Sequence, residues 1–303
     1  MTSFSRGVRQ VAGTPEGLLG IILCCVIAIV TLVGPYLVPF DPTAIDLPRR
    51  LQSPSTTHWF GTDDLGRDVF SRVLDGAPRT VVTSILVVAA SALVGSVVGV
   101  VAGYLGGWPD RILMRITDVF VGYPALLLAV AVAASMGGGL LQAGLALGIV
   151  WWAGYARLMR GQAATVANLP YIDASRIVGA SGFRIMRDHV LPNSLGPLVV
   201  KLTLDVGLIV ESVAALGFIG LGAQAPDAEW GAMIAASRTF ADPAWWYPAM
   251  PGIALLLVVV GTNLLGDGLA RSLDQSAPNA VAKKNWGSIW RLFGLSRSTR
   301  ERG

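Results

Sequence analysis

Residues 18–38, 80–109, 119–156 and 247–266 contain no Lys, Arg, Asp or Glu. A helix crossing a bilayer needs about 20 mostly apolar residues. The stretch 119–156 is long enough for two crossings, and Gly137, Gly138 and Gly139 supply a turn between them. A fifth apolar stretch, residues 197–222, carries Lys201, Asp205 and Glu211. These runs predict an all-α membrane protein with six transmembrane helices. A membrane barrel would alternate apolar and polar residues instead. Only 14% of the chain is charged, against about 25% in soluble domains. That excludes disorder and a coiled coil, and it argues against a soluble two-domain protein.

Arg6 and Arg9 precede the first apolar run, as in a signal peptide. The 21 residues from Leu18 to Val38 are too long for a typical cleaved segment, and no A-x-A site follows. A retained first helix is expected. Cys24 and Cys25 are adjacent within it and offer neither a disulfide framework nor metal-ligand spacing. With both termini cytoplasmic, the inner segments hold 17 Lys and Arg and the outer segments hold six: Arg49, Arg50, Arg67, Arg72, Arg79 and Arg238. This is the positive-inside bias. The basic residues are scattered among inner segments and form no nucleic-acid groove.

The expected organisation is a cytoplasmic segment at 1–16, a transmembrane domain at 17–275 and a basic cytoplasmic tail at 276–303. The tail holds Lys283, Lys284, Trp286, Trp290, Arg291 and Phe293, and lies on the membrane surface or is disordered. The first outer loop, about 39–79, is proline-rich and is expected to end in a short interfacial helix. Thr62 would cap it. Leu65, Val69, Phe70, Val73 and Leu74 would form its apolar face, opposite Arg67, Asp68 and Arg72. Trp245, Trp246 and Tyr247 are expected at headgroup level, where the sixth span enters. Gly95, Gly99 and Gly103 form a stripe for close helix approach, within the bundle or against a partner.

The inner loop at 165–195 includes the run YIDASRIVGASGFRIMRDHVLPN at 171–193. Tyr171 to Val178 suits two helical turns, with Ile172, Ile177 and Val178 as apolar contacts. Breaks are expected at Gly179, at Ser181-Gly182 and at Leu191-Pro192, with a second short helix from Phe183 to Val190. Two short helices lying along the membrane would form a docking surface for a soluble partner.

Here the chain resembles the integral membrane subunits of ABC importers. Their inner loop reads E-A-A, three residues, G, nine residues, then an apolar-x-Leu-Pro ending. This chain has Asp173-Ala174-Ser175, Gly179-Ala180 and His189-Val190-Leu191-Pro192 at that spacing. Asp173 stands for the usual Glu and Ser175 for the second Ala. His-x-Leu-Pro is similar to the dipeptide/oligopeptide/nickel branch. So are His58 to Asp63 with Gly66-Arg67-Asp68, Glu211 to Gly222 with Trp230-Gly231, and Asn263 to Leu269 with Leu273-Asp274.

The resemblance implies a type I permease fold in the bacterial cytoplasmic membrane and half of an import path for peptides or similar small solutes. It also implies coupling through Asp173, Ala174, Ser175, Gly179, Ala180, His189, Leu191 and Pro192. The implied partners are a second homologous permease, two ATP-binding subunits and an extracytoplasmic solute-binding protein. ATP and Mg would be bound by those subunits, so no cofactor is expected in this chain. Its three lysines, Lys201, Lys283 and Lys284, do not follow glycine, so no P-loop exists. No catalytic constellation is present. His189 is read as structural, and His58 lacks companions for a metal site. Glu211 is a candidate path or intersubunit contact. Asp205 shares that candidacy, although its spacing from Lys201 suits an ion pair. The rival readings are a self-sufficient secondary transporter or channel, a membrane enzyme and a structural assembly subunit.

Overall fold

The computed structural model describes residues 11 and 13–276. Arg6, Arg9 and residues 277–303 of the expected 276–303 tail lie outside the described residues. Among the described residues the fold is all helical, with no strand beyond an isolated Thr62–Asp68 bridge. The principal helices are α1 Pro15–Val33, α2 Val69–Leu105, α3 Gly107–Val121, α4 Ala125–Ser135 and α5 Leu140–Ala167. They continue with α6 Pro170–Ile177, α7 at 182–193, α8 Leu195–Phe218, α9 Trp230–Ser237 and α10 Trp246–Ser276.

By length and composition, Pro15–Tyr36, Val69–Leu105 and Trp246–Leu273 can cross a membrane. The pair α3 and α4, bent by 84°, adds a fourth crossing if it is one span. Leu32, Leu86, Leu93, Leu127 and Leu141 are all more than 60% exposed on helix surfaces. That is the reverse of a water-soluble bundle and suits a hydrocarbon surround.

The expected short outer helix is instead the first part of α2. This helix has 37 residues, or about 55 Å at 1.5 Å per residue, so it outruns a bilayer core of about 30 Å. Its cap is Asp68 rather than Thr62: the Asp68 carboxylate accepts from Ser71 N and Ser71 Oγ, both at 2.7 Å. The face assignment is also corrected, because Arg67, Asp68 and Arg72 are buried. They are buried because they pair. Asp63 receives Arg67 Nε at 2.6 Å, and Arg72 Nε stands 3.5 Å away. Asp68 holds His58 Nδ1 at 2.9 Å, which occupies that histidine structurally.

The same hub gathers the later outer segments. Trp246 Nε1 donates to Thr62 O at 3.2 Å, and Tyr247 OH donates to Asp64 at 2.9 Å. Trp246 and Tyr247 are therefore buried, and only Trp245 remains exposed. Trp230 Nε1 reaches Val73 O at 2.9 Å. Glu229 caps α9 through Gly231 N and Ala232 N, and it also accepts from Thr80 Oγ1. Burial pushes its carboxyl above the usual range, against the pull of those three donors.

The pair α3 and α4 departs from a straight helix. Pro124 cannot continue α3 and caps α4 instead. α3 is held against α5 by ion pairs from Arg160 to Asp110, bidentate, and from Arg157 to Asp118 at 2.7 Å. The Gly137–Gly139 turn then leads into α5, as expected. Gly139 N donates to Leu221 O at 3.0 Å and ties this turn to the end of α8.

The glycine stripe resolves as a seam within the chain. A Cβ at Gly95, Gly99 or Gly103 would collide with the backbone oxygen of Trp152, Ala156 or Arg160 on α5. Gly99→Val should therefore destabilise the purified chain by about 1–3 kcal/mol, the usual range for overpacking. Thermal unfolding in detergent reads this as a lowered midpoint.

Candidate functional site

The 165–195 loop begins with Leu169 in extended geometry, as the residue before proline must be. Pro170 then starts α6. Asp173 lies in its first turn, where the helix dipole favours an acid. It pairs with Arg176 at 2.8 Å, but both side chains are exposed, so the pair adds little stability. Ser175 Oγ donates back to Tyr171 O at 2.9 Å. Ala174 is exposed beside them.

Gly179 ends α6. Its φ is +88°, its N–H donates to Arg176 O, and Ala180 N–H donates to Ser175 O at 3.1 Å. That pair of bonds is a Schellman motif, which needs a left-handed residue after the helix. Nothing lies within 4 Å of where a Cβ would sit at Gly179. The glycine is demanded by backbone conformation and not by crowding.

Ser181 caps α7, accepting from Arg184 N at 3.4 Å. α7 runs through Gly182–Ile185, a π turn at Met186–Val190, and Leu191–Asn193. The expected break at Leu191-Pro192 is absent: the π turn at Met186–Val190 directly precedes Pro192, and the helix runs on through it to end at Ser194. Asn193 Nδ2 donates to His189 O at 2.6 Å. The half-buried His189 ring meets Tyr171 edge-on, with centroids 6.1 Å apart.

The loop has an inner and an outer face. Ile172, Ile185 and Val190 are fully buried in the main core, with Ala180 and Leu191 packed against it. Tyr104, near the C-terminal end of α2, carries the Arg176 guanidinium over its ring at 5.5 Å, and a Cβ at Gly182 would meet that ring. On the outer face, Ile177, Val178 and Phe183 are 86%, 87% and 70% exposed. The pattern pointed to a docking surface here, but Ile177 and Val178 face outward while Ile172 faces the core. Arg187 bonds Asp188 and holds that carboxyl below the usual range. Among the described residues no group of His, Cys, Asp or Glu is placed to hold a metal.

Asp205 and Glu211 lie elsewhere, on α8. Asp205 is buried and paired with Lys201 at 3.0 Å, and Lys201 Nζ sits 5.0 Å over the Tyr155 ring of α5. Glu211 is exposed and opens into a cavity beside α9 and α10. Sequence reasoning missed the Tyr104 anchor and the Arg160–Asp110 clamp. Both join segments whose proximity only the fold creates.

The described residues form an apolar helical bundle with large apolar side chains turned outward, the character of a membrane-embedded protein. The chain belongs to the family of binding-protein-dependent transport system inner membrane components, whose model matches residues 95–277. A probable D,D-dipeptide transport system permease protein from Escherichia coli (strain K12) is 45% identical over 270 residues, covering 89% of this chain and 91% of the relative. A dipeptide transport system permease protein from Alkalihalophilus pseudofirmus is 38% identical over 274 residues, covering 90% of each. A chain of the inward-facing MetNI methionine ABC transporter aligns with a TM-score of 0.46 at 22% identity, covering 64% of this chain and 94% of that one.

Gly179→Ala should cost about 1–2 kcal/mol, the penalty for a left-handed residue with a Cβ. The result is a lower thermal midpoint in the purified chain, with the rest of the bundle unperturbed.

Proposed function

We propose that this chain is one of two permease subunits of an ATP-driven importer, forming half of the path for di- or oligopeptides or similar small solutes. The observation that carries the coupling role is the loop at 171–192. Three large apolar side chains stand clear of a rigid, core-anchored turn, and such a patch needs a protein partner. That partner is an ATP-binding subunit, which brings ATP and Mg. The coupling residues are Asp173, Ala174, Ser175, Gly179, Ala180, His189, Leu191 and Pro192. Within this set, Gly179 shapes the turn, Ala180 and Leu191 anchor it, and Asp173 and Ala174 face the partner. The dipeptide names of the relatives support the solute class.

The six-span topology with both termini cytoplasmic has support beyond hydropathy. Helix ends collect at two poles. Arg271 of α10 pairs with Glu16 of α1 at 3.0 Å, near the pole that holds the loop. The hub around Asp63 gathers the starts of α2, α9 and α10 at the other. On this reading the hub faces the solute-binding protein, the loop faces the cytoplasm, and the membrane is the bacterial cytoplasmic one. α5 and α8 then serve as the fourth and fifth spans despite their charges: Arg157 and Arg160 pair with α3, Lys201 pairs with Asp205, and only Glu211 is left without an ion pair among the described residues.

Val178→Asp should leave the thermal midpoint of the chain unchanged, because the site is exposed. It should cut co-purification of the ATP-binding subunits and peptide uptake at least about tenfold, the loss of roughly 1.4 kcal/mol of docking energy. Full uptake with intact association would contradict the coupling assignment.

A further inference from the structure

A cleft of about 540 Å³ lies between α2, α7 and α8. Its α2 wall runs from Ala89 to Val101, about 18 Å at 1.5 Å per residue. One leaflet supplies about 15 Å, half of a hydrocarbon core of about 30 Å. The cleft therefore has the depth of one leaflet, too short for a partner helix that crosses the whole bilayer.

The wall is apolar and fixed. Ala92, Val100 and Leu198 are buried in the main core, and Met186 and Leu191 pack against it. Leu93 and Val97 also line the cleft and are 69% and 59% exposed, so it opens on an apolar face of the bundle. Ser96 and Arg187 are the polar side chains in its lining.

The two ends differ. Val101 is one helical turn from Tyr104, whose ring a Cβ at Gly182 would meet. That places the Val101 end beside the 165–195 loop and the Ala89 end deeper in the bundle. Phe183, next to Gly182, and Arg187, one turn on, line the loop end. Arg187 bonds Asp188 through Nε at 2.7 Å and Nη2 at 3.4 Å, and no hydrogen bond among the described residues uses its Nη1. Arg184 acts on the same carboxylate. Two guanidiniums around one carboxylate leave an excess of positive charge at this rim. An apolar cleft one leaflet deep with a basic rim has the shape and charge of a phospholipid site, and basic pockets between spans on the cytoplasmic side take anionic headgroups.

We propose that this cleft binds an anionic phospholipid of the cytoplasmic leaflet, with one acyl chain along α2 and the phosphate at Arg187 and Arg184. The permease reading enters only in assigning the leaflet. The bound lipid braces α7 from the membrane side, next to the patch formed by Ile177 and Val178.

The test uses the complete complex in nanodiscs of phosphatidylcholine, with a phosphatidylglycerol that carries a photoactivatable acyl chain as the probe. Cross-links should map to α2 between Leu93 and Val101 and to α7. A phosphatidylcholine probe with the same chain should label those segments several-fold less. Arg187→Gln should weaken phosphatidylglycerol labelling about fivefold, the worth of one basic side chain beside an anionic surface, and Arg187→Lys should restore most of it. Val97→Trp should fill the cleft and remove the label. If the tryptophan variant fails to assemble, Arg187→Gln decides alone, since its side chain is exposed. Labelling needs no transport, so peptide uptake by the same complex tests the permease reading independently. Equal labelling by the two probes, labelling confined to other segments, undiminished labelling of Arg187→Gln, or cross-linking of Val97→Cys to the second permease would overturn the proposal.

Discussion

The contact on which the rest of the molecule depends is the close approach of α2 and α5 at Gly95, Gly99 and Gly103. Lipid offers no hydrophobic drive for helices to associate, so backbone proximity and dispersion must supply the contact. Each partner in this pair then carries one functional end. α2 starts from the hub at Asp68 and runs to Leu105, and the Tyr104 ring lies beneath the Arg176 guanidinium of the 165–195 loop. α5 clamps α3 through Arg157 and Arg160 and runs directly toward α6. The side that would receive the solute and the side that would receive energy are therefore built on one packed pair of helices.

Charge follows the same logic. A buried ion pair adds little net stability, yet removing one partner leaves an expensive orphan. Asp63 with Arg67 and Arg72, and Asp68 with His58, make such a set at the outer pole. Lys201 and Asp205 make another inside the bundle. These groups fix geometry: each tolerates only the arrangement that satisfies it. Glu211 stands apart because no hydrogen bond or ion pair among the described residues answers it.

The all-helical, apolar character, the glycine turn at 137–139 and the two short helices of the 165–195 loop were legible in the residues, because length, charge and glycine placement report on local structure. The spacing from Asp173 to Pro192 also pointed to the family. Three features were hidden. The outer amphipathic segment reads as a separate surface helix until the hub shows that Arg67, Asp68 and Arg72 are its buried side. Trp246 and Tyr247 suit a headgroup belt by type, but each finds a hydrogen-bond partner over 180 residues away in sequence. Pro192 reads as a breaker, but the helix runs through it behind the π turn at Met186–Val190. For Trp246 and Tyr247 the deciding partner was distant along the chain, and local pattern carries no record of it.

The central claim is that the turn at Gly179 delivers Ile177, Val178 and Phe183 to an ATP-binding subunit. A photo-crosslinker on a single cysteine at position 178, in the Cys24→Ser, Cys25→Ser background of the assembled complex, tests it most directly. The account predicts a cross-link to the ATP-binding subunit and protection from membrane-impermeant reagents added outside. Cross-linking to the solute-binding protein, or ready labelling from outside, would contradict it.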